Sequence, residues 1–450
     1  MTAERIRRSV RWFYPGLGVK RWLLVAIIGT ALFVNGVDRW LTAEGAHFEI
    51  NTWVDETLDG YVPLGWLQWI FMGGGLILVM LGIRQWMHSI IDVLTPDRKD
   101  RIVDVLFASR LRAGYRIVAV GGGTGLSTLL RGLKRYTHNL TAVVTVSDDG
   151  GSSGRLQKEL GILPPGDLRN CLVALADDEA LVTDLFQYRF HEGDGLSGHS
   201  FGNLFLAAMT GVTGNFDRAV KESSRVLNIK GRVLPATLAV TWLRATMQDG
   251  TIIEGETAIT QARRKIESIS LEPEHPAPLA EVIEAIRGAD AVVLGPGSLY
   301  TSIIPNLLVD RIAREIETSN AVKIFISNVM TQPGETDEFT ASRHVEALLA
   351  HAGAKVCDFA IVNSQPPRRL RDLYAEEGQV WVEPDLEHIE KLGVRPVLAD
   401  VLAETTNVRH DPEKLSDVVI DLISQAIAER ATFLKKRTPP AAIAPPAATF

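Results

Sequence analysis

Gly121, Gly122, Gly123, Thr124, Gly125 and Ser127 follow a short apolar run, Ile117 to Val120, in the stretch RIVAVGGGTGLS. Glycines let the backbone turn tightly, and a helix starting near Thr124 presents unpaired N–H groups and the positive end of its dipole. Such a start attracts anions, phosphate above all. The spacing is not the dinucleotide fingerprint, because Leu126 stands where a third glycine belongs, and no Gly-Lys-Ser/Thr makes a P-loop. Further on, TVSDDGGSSGRL brings Asp148 and Asp149 to the end of a second apolar run, Ala142 to Val146. Carboxylates at such a strand end suit ribose hydroxyls or a Mg²⁺ ion. Ser152, Ser153 and Arg155 add phosphate donors.

Later stretches repeat this chemistry. In PPGDLRN, Pro164 to Gly166 form a turn, Asp167 is placed to cap a helix, and Arg169 and Asn170 fall in its first turn. GHSFGN sets His199, Ser200 and Asn203 in a turn before an apolar helix, Leu204 to Met209. Adjacent Ser and His seldom face each other and no G-x-S-x-G elbow is present, so recognition of a base or sugar edge by Asn203 or His199 is favoured over a nucleophile. AVVLGPGSLYTSIIPN is again a strand, a glycine turn and a helix start, with Gly295, Gly297, Ser298 and Thr301 matching the opening turn. NVMTQPGET then offers Asn328, Thr331 and Gln332. No pair of histidines has metal-ligand spacing, so any metal is expected to be Mg²⁺ on oxygen ligands.

Elements that could hold these residues are legible as apolar runs at Ile117 to Val120, Ala142 to Val146, Ala291 to Leu294, Val322 to Ile326 and Phe359 to Val362, with helical patterns between several of them. The alternation predicts an α/β domain over 114–437, a Rossmann-like, doubly wound, mostly parallel sheet. In TWLRATMQDGTIIEG, Asp249-Gly250 between strand-like runs predicts a small antiparallel β-hairpin insertion. Ligands of such sheets bind beyond the carboxyl ends of the strands. The glycine turns, together with Asp148, Arg169 and Asn203, are therefore expected to converge on the phosphates and sugar of one ligand, with Gly122 and Gly297 at the same end of the sheet.

Two apolar stretches precede that domain within 1–113. Trp22 to Val37 and Tyr61 to Ile83 carry no charge, and they predict two transmembrane helices over about 22–41 and 61–83. A cleaved signal peptide would explain only the first. Arg5, Arg7, Arg8, Arg11, Lys20 and Arg21 precede the pair, while Arg84, Arg98, Lys99 and Arg101 follow it. The connection Asp38 to Gly60 is acidic apart from Arg39. By the positive-inside rule, the N-terminus and the main domain face the cytoplasm of a cell (inner) membrane, with Trp22, Trp40, Trp53, Trp66 and Trp69 among the interfacial anchors. Gln85 to Ala113 reads as a linker of two short helical pieces broken at Pro96, and 438–450 as a disordered Pro/Ala-rich tail. With 47 basic and 54 acidic residues the chain is not expected to bind nucleic acid in bulk, and Cys171 and Cys357 alone suggest neither a disulfide framework nor a zinc site.

The strings GGGTGLS, SDDGGSSGRL, PPGDLRN, GHSFGNLF, GPGSLYTSIIPNLL and NVMTQPGET, in this order, resemble the YvcK family of gluconeogenesis factors, relatives of the 2-phospho-L-lactate transferase CofD. The resemblance covers about Arg116 to Arg430 and leaves the hairpin outside; it departs at Gln157, where an arginine is common. It implies a nucleotide or UDP-sugar ligand such as UDP-N-acetylglucosamine, a part in cell shape and envelope synthesis, and an oligomer. The alternative it implies is a Mg²⁺-dependent phospholactyl transferase. There Asp148, Asp149 or Asp167 would hold the ion, and Arg155 or Arg169 would steady developing negative charge.

Overall fold

The computed structural model describes residues 19–42, 64–94, 111, 113–177, 179–193 and 195–437, and the chain divides into two units, Met1–Ala108 and Ser109–Phe450. Strands of the larger unit are, in chain order, β1 (Ile117–Gly121), β2 (Leu140–Val144), β3 (Arg232–Pro235), β4 (Trp242–Met247), β5 (Ile252–Glu254) and β6 (Ile266–Glu272). They continue with β7 (Ala291–Leu294), β8 (Val322–Ile326), β9 (Phe359–Asn363), β10 (Arg395–Ala399), β11 (Leu402–Glu404) and β12 (Val408–His410). Seven of them form one parallel sheet in the order β10-β9-β8-β7-β1-β2-β3, the Rossmann-like α/β arrangement expected.

Burial on both faces explains why its central strands read as apolar runs. Ile117 and Ala119 pack into one core with Leu126, Leu129 and Leu133 of the helix Gly123–Leu133. Val118 and Val120 point the other way, into a core with Ile283, Ile286, Leu299 and Ile303. β2 starts and ends two residues earlier than its apolar run suggested. The edge strands β3 and β10 were not anticipated: both contain proline and arginine, which an edge tolerates.

The Asp249-Gly250 turn joins β4 and β5 as an antiparallel hairpin, with Gly250 at φ +79° and the Asp249 carboxylate accepting from Thr251 N–H. β6 adds to the other side of β4 and makes a three-stranded sheet. Its sequence, IESISLE, alternates too weakly to stand out as a strand.

Two helices, Val19–Thr42 and Leu64–Leu94, are described in the smaller unit. Windows Arg21–Asp38 and Trp66–Met87 within them are long and apolar enough to cross a membrane. The second helix runs on past the expected end at 83 and takes in the first of the two short pieces expected after it, because no proline or glycine interrupts Ile83 to Leu94. Gly29 and Gly36 of the first helix and Gly75 and Gly82 of the second sit where they pack closely. A Cβ on Gly75 would lie 2.5 Å from Phe33 N, and one on Gly82 would lie 2.7 Å from Ala26 N. Small residues at such a seam let backbones approach. Leu23, Leu24, Ile27, Ile28, Ile70, Ile77 and Met80 are exposed on the outer faces, with Trp40, Trp66 and Trp69 exposed toward one end of the pair. Residues 1–18, 43–63, 95–110 and 438–450 lie outside the described residues. With them lie the expected linker break at Pro96, the Pro/Ala-rich tail, Trp53 and most of the flanking charges used for orientation.

Candidate functional site

From β1 the chain builds outward through β2 to β3, and from the adjacent β7 it builds the other way through β8 and β9 to β10. This reversal is the point where open α/β sheets leave a crevice at their carboxyl ends. Val120 pairs with Leu294 there, so the turns Gly121–Gly123 and Gly295–Gly297 leave the sheet side by side. A Cβ on Gly125 would collide with the Pro296 carbonyl, and one on Gly122 would lie 2.5 Å from Asp167 Oδ2. Only glycine permits this approach. Asn306 fastens the two turns, donating from Nδ2 to the Gly121 carbonyl (3.0 Å) and to the Ser302 carbonyl (2.8 Å).

A cavity of about 330 Å³ lies over this junction. Gly122, Gly123, Thr124 and Gly125 line it from one turn, Gly297 and Ser298 from the other, and Asn328 and Gln332 from the loop after β8. Gln332 Nε2 donates to Ser298 Oγ (2.8 Å), and Asn328 Nδ2 donates to Gln332 Oε1 (3.1 Å). The helix Gly123–Leu133 begins at the cavity, with Gly122, which has no side chain to cap it, at its N-cap. Gly121 ends β1, Gly295 directly follows β7, and Ser127 Oγ donates to the Thr124 carbonyl, so these three shape the wall without lining it.

Asp167 lies in the second residue of the helix Gly166–Leu175 rather than at its N-cap, which is Pro165; its carboxylate turns into the cleft and accepts from Gly123 N–H. Burial, then the nearby Asp148, push it up to about 7, against the Gly123 N–H and Arg169. Glu256 lines the cleft too, and burial followed by Asp148 and Asp167 drives it up to about 9. Asp149 holds that side chain in place from behind: its Oδ1 accepts from Thr257 N–H (2.9 Å) and Thr257 Oγ1 (2.6 Å) at the start of the helix Glu256–Ala262. Asp148 Oδ1 accepts from Gly150 N–H.

The remaining anticipated residues gather in a second polar network that does not line this cavity. Ser152 Oγ meets His199 Nδ1 at 2.9 Å, so His199 pairs with the earlier serine and not with its neighbour Ser200. Ser200 caps the helix Phe201–Thr213, which places Asn203 in the first turn of that helix and not in the turn before it. Arg169 donates from Nη1 to Ser200 Oγ (2.7 Å) and Asn203 Oδ1 (3.0 Å) and from Nη2 to Asn170 Oδ1 (2.9 Å). Asn203 Nδ2 reaches Ser153 Oγ (3.4 Å), and Arg155 donates to the Ser197 carbonyl (3.0 Å).

Glu256, Arg409 and His410 line the cleft unannounced by any motif. Arg409 is the one cation among its described lining residues. His410 is buried, held down to about 4 by that burial, and donates from Nε2 to the Ser327 carbonyl (3.2 Å), which leaves Nδ1 as an acceptor. Among the described residues no group of three or more His, Cys, Asp or Glu is arranged to hold a metal by itself.

The family model for 2-phospho-L-lactate transferase CofD matches residues 117–402. A gluconeogenesis factor from Bacillus subtilis is 49% identical over 312 residues, covering 69% of this chain and 98% of that protein. A relative from Nostoc sp. that carries a gluconeogenesis-factor name is 47% identical over 433 residues, covering 93% of both. The shared length in that relative therefore reaches well before Arg116, into the region of the hairpin. A crystal structure of a UPF0052-family protein from Bacillus halodurans superposes with a TM-score of 0.66 at 49% identity, covering 68% of this chain and 99% of that one.

Proposed function

The chain belongs to the CofD family as one of its gluconeogenesis factors, and from that premise we propose that it is a membrane-tethered binder of a nucleotide-sugar, a UDP-sugar such as UDP-N-acetylglucosamine. One observation carries the reading: two glycine turns and a helix start meet over one cavity at the switch point of the sheet. A diphosphate suits that junction, because a helix start opens onto it, where it would take the place of Asp167 on the Gly123 N–H, and Arg409 is at hand to balance its charge. Asn328, Gln332 and the neutral His410 supply the mixed donors and acceptors that a base or sugar needs.

Asp167 and Glu256 set a condition on such a ligand. Two carboxylates would repel a diphosphate unless they keep their protons or share a cation. Mg²⁺ fits the oxygen donors, with the phosphates completing its shell, since the protein groups alone are too few. The tether reading rests on the two apolar helices, whose outward side chains are those a lipid environment accepts. A regulatory part in cell shape and envelope synthesis accompanies this reading.

The test is a thermal shift of the full chain in detergent micelles. UDP-N-acetylglucosamine should raise the Tm, with about 2.7 kcal/mol of stabilisation when ligand reaches about a hundred times its Kd. No shift with any UDP-sugar at millimolar concentration removes the reading. The family model also supports a second reading, phospholactyl transfer from a nucleotide carrier to a deazaflavin acceptor. That reading requires Mg²⁺-dependent product formation, lost in Asp167→Asn.

A further inference from the structure

After β9 the chain runs through a strap, residues 365–379, whose helix Arg371–Glu376 buries none of its residues. Both ends of the strap are fixed. Asn363 Nδ2 donates to the Gln365 carbonyl (2.5 Å). Val380 N–H donates to Thr331 Oγ1 (2.9 Å), and the Val380 carbonyl accepts from the Thr331 N–H (2.8 Å). Between those ends Leu370 and Tyr374 pack on Val329, Met330 and Val408, and these three also line the cleft. Gln379 lines it directly. The strap is therefore the outer layer of one cleft wall.

What holds that layer down is local and polar. Glu404 of β11 accepts from three consecutive N–H groups, those of Arg369 (2.5 Å) and Leu370 (2.7 Å) on Oε1 and that of Arg368 (3.2 Å) on Oε2. Successive N–H groups turned toward one anion form a nest, and here the protein's own carboxylate fills it. The Leu370 N–H, and after it those of Arg368 and Arg369, hold that carboxyl below the usual carboxylate range. Tyr374 adds one more tie, its hydroxyl accepting from the Val408 N–H (2.9 Å). Elsewhere the strap faces solvent: Arg368, Arg369 and Arg371 are exposed, and Leu373 is 50% exposed. A segment with so little buried apolar surface opens at a lower cost than the whole domain. Because three of its ties gather on one side chain, they break together.

We propose that residues 365–379 are a gate of the cleft, latched shut by Glu404, which swings out when the Arg368, Arg369 and Leu370 N–H groups leave the carboxylate and so uncovers the wall at Val329, Met330 and Val408. Gates of this kind set how fast a ligand enters and leaves. The inference rests on the cleft being a ligand site, but the latch works in the same way whatever the ligand is.

Thiol labelling of Met330→Cys by N-ethylmaleimide, in the full chain in detergent and located by mass spectrometry, reads the opening, because position 330 is only 6% exposed behind the strap. The buried Cys171 and Cys357 report global unfolding in the same sample. Adding Glu404→Ala should speed labelling at position 330 about tenfold or more, the scale of losing hydrogen bonds to a charged group, while the two native cysteines stay unlabelled. Glu404→Gln, which keeps an acceptor oxygen without the charge, should fall between and serves if the alanine variant fails to fold. Glu413→Ala, which breaks a surface pair with Arg135, should change nothing. Labelling at position 330 that is unchanged in the Glu404 variants overturns the gate, and so does labelling of Cys171 or Cys357 in step with it. UDP-N-acetylglucosamine should slow the labelling. If it does not while the Glu404 effect holds, the nucleotide-sugar reading fails and the gate stands.

Discussion

Gly125 shows how narrowly the cleft is specified. A methyl group there meets the Pro296 carbonyl, a backbone atom that can move only by parting the two glycine turns. Gly125→Ala is expected to cost about 1–3 kcal/mol by overpacking and to abolish the UDP-sugar thermal shift, which a melt with and without ligand would read. Arg409→Ala should leave the melting temperature of the free protein within about 2 °C, because the side chain is exposed, yet weaken ligand binding about tenfold or more. Glu256 gives the pH dependence a sign. Its folded pKa, about 9, stands above the ordinary 4.5, so the folded state holds a proton that the unfolded chain releases. That contribution is complete below about pH 4.5 and is lost as the pH rises toward 9, with Asp167 adding to the loss between 3.8 and about 7. Melts across this range should show stability falling with pH, and Glu256→Gln should flatten the slope. Of the carboxylates, only Asp148 and Asp149 stood at a legible strand end. Asp167 reads as a helix cap by residue type, and nothing local tells that its side chain turns inward to Gly123.

At the level of elements, strands buried on both faces were legible and edges were not. β1 and β7 are apolar throughout, β8 but for Lys323 and β9 but for its last residue, Asn363, whereas β3 and β10 carry arginine and proline and need the sheet beside them to be strands. The glycine stretches announced the two central turns for the same reason they form them, since close backbone approach demands that residue. Arg409 and His410 sit on the short hairpin of β11 and β12, whose place over the cleft depends on the whole chain beyond β9. Asp149 illustrates an element serving a site at one remove. By accepting from Thr257 N–H and Oγ1 it fixes the start of the helix that carries Glu256. Asp149→Ala should cost about 1–2 kcal/mol in a denaturant melt, as the loss of a helix-start acceptor does. It should also shift the pH profile attributed to Glu256, whereas Asp217→Ala, in a different helix, should leave that profile alone.

For the whole molecule, relatives come in two lengths. The Bacillus subtilis protein matches 69% of this chain and is itself covered to 98%, while the Nostoc sp. protein matches 93%. A larger unit that stands alone in relatives is expected to do so here. Removal of residues 1–108 should give a protein that stays in the supernatant and keeps its UDP-sugar thermal shift, whereas the full chain should sediment with membranes until detergent is added. Extraction by salt or alkaline carbonate alone would count against a spanning hairpin.

The adjacency of β1 and β7 has a further consequence, for biosynthesis. β1, β2 and β3 leave the ribosome well before β7, so the edge of β1 that ends up in the middle of the sheet has no neighbour until about 170 more residues are made, on the order of 10–35 s at ordinary elongation rates. During that interval an apolar strand edge is open to mispairing. Translation itself, and any chaperone that covers Ile117 to Val120 in the meantime, thus becomes part of how the cleft is made.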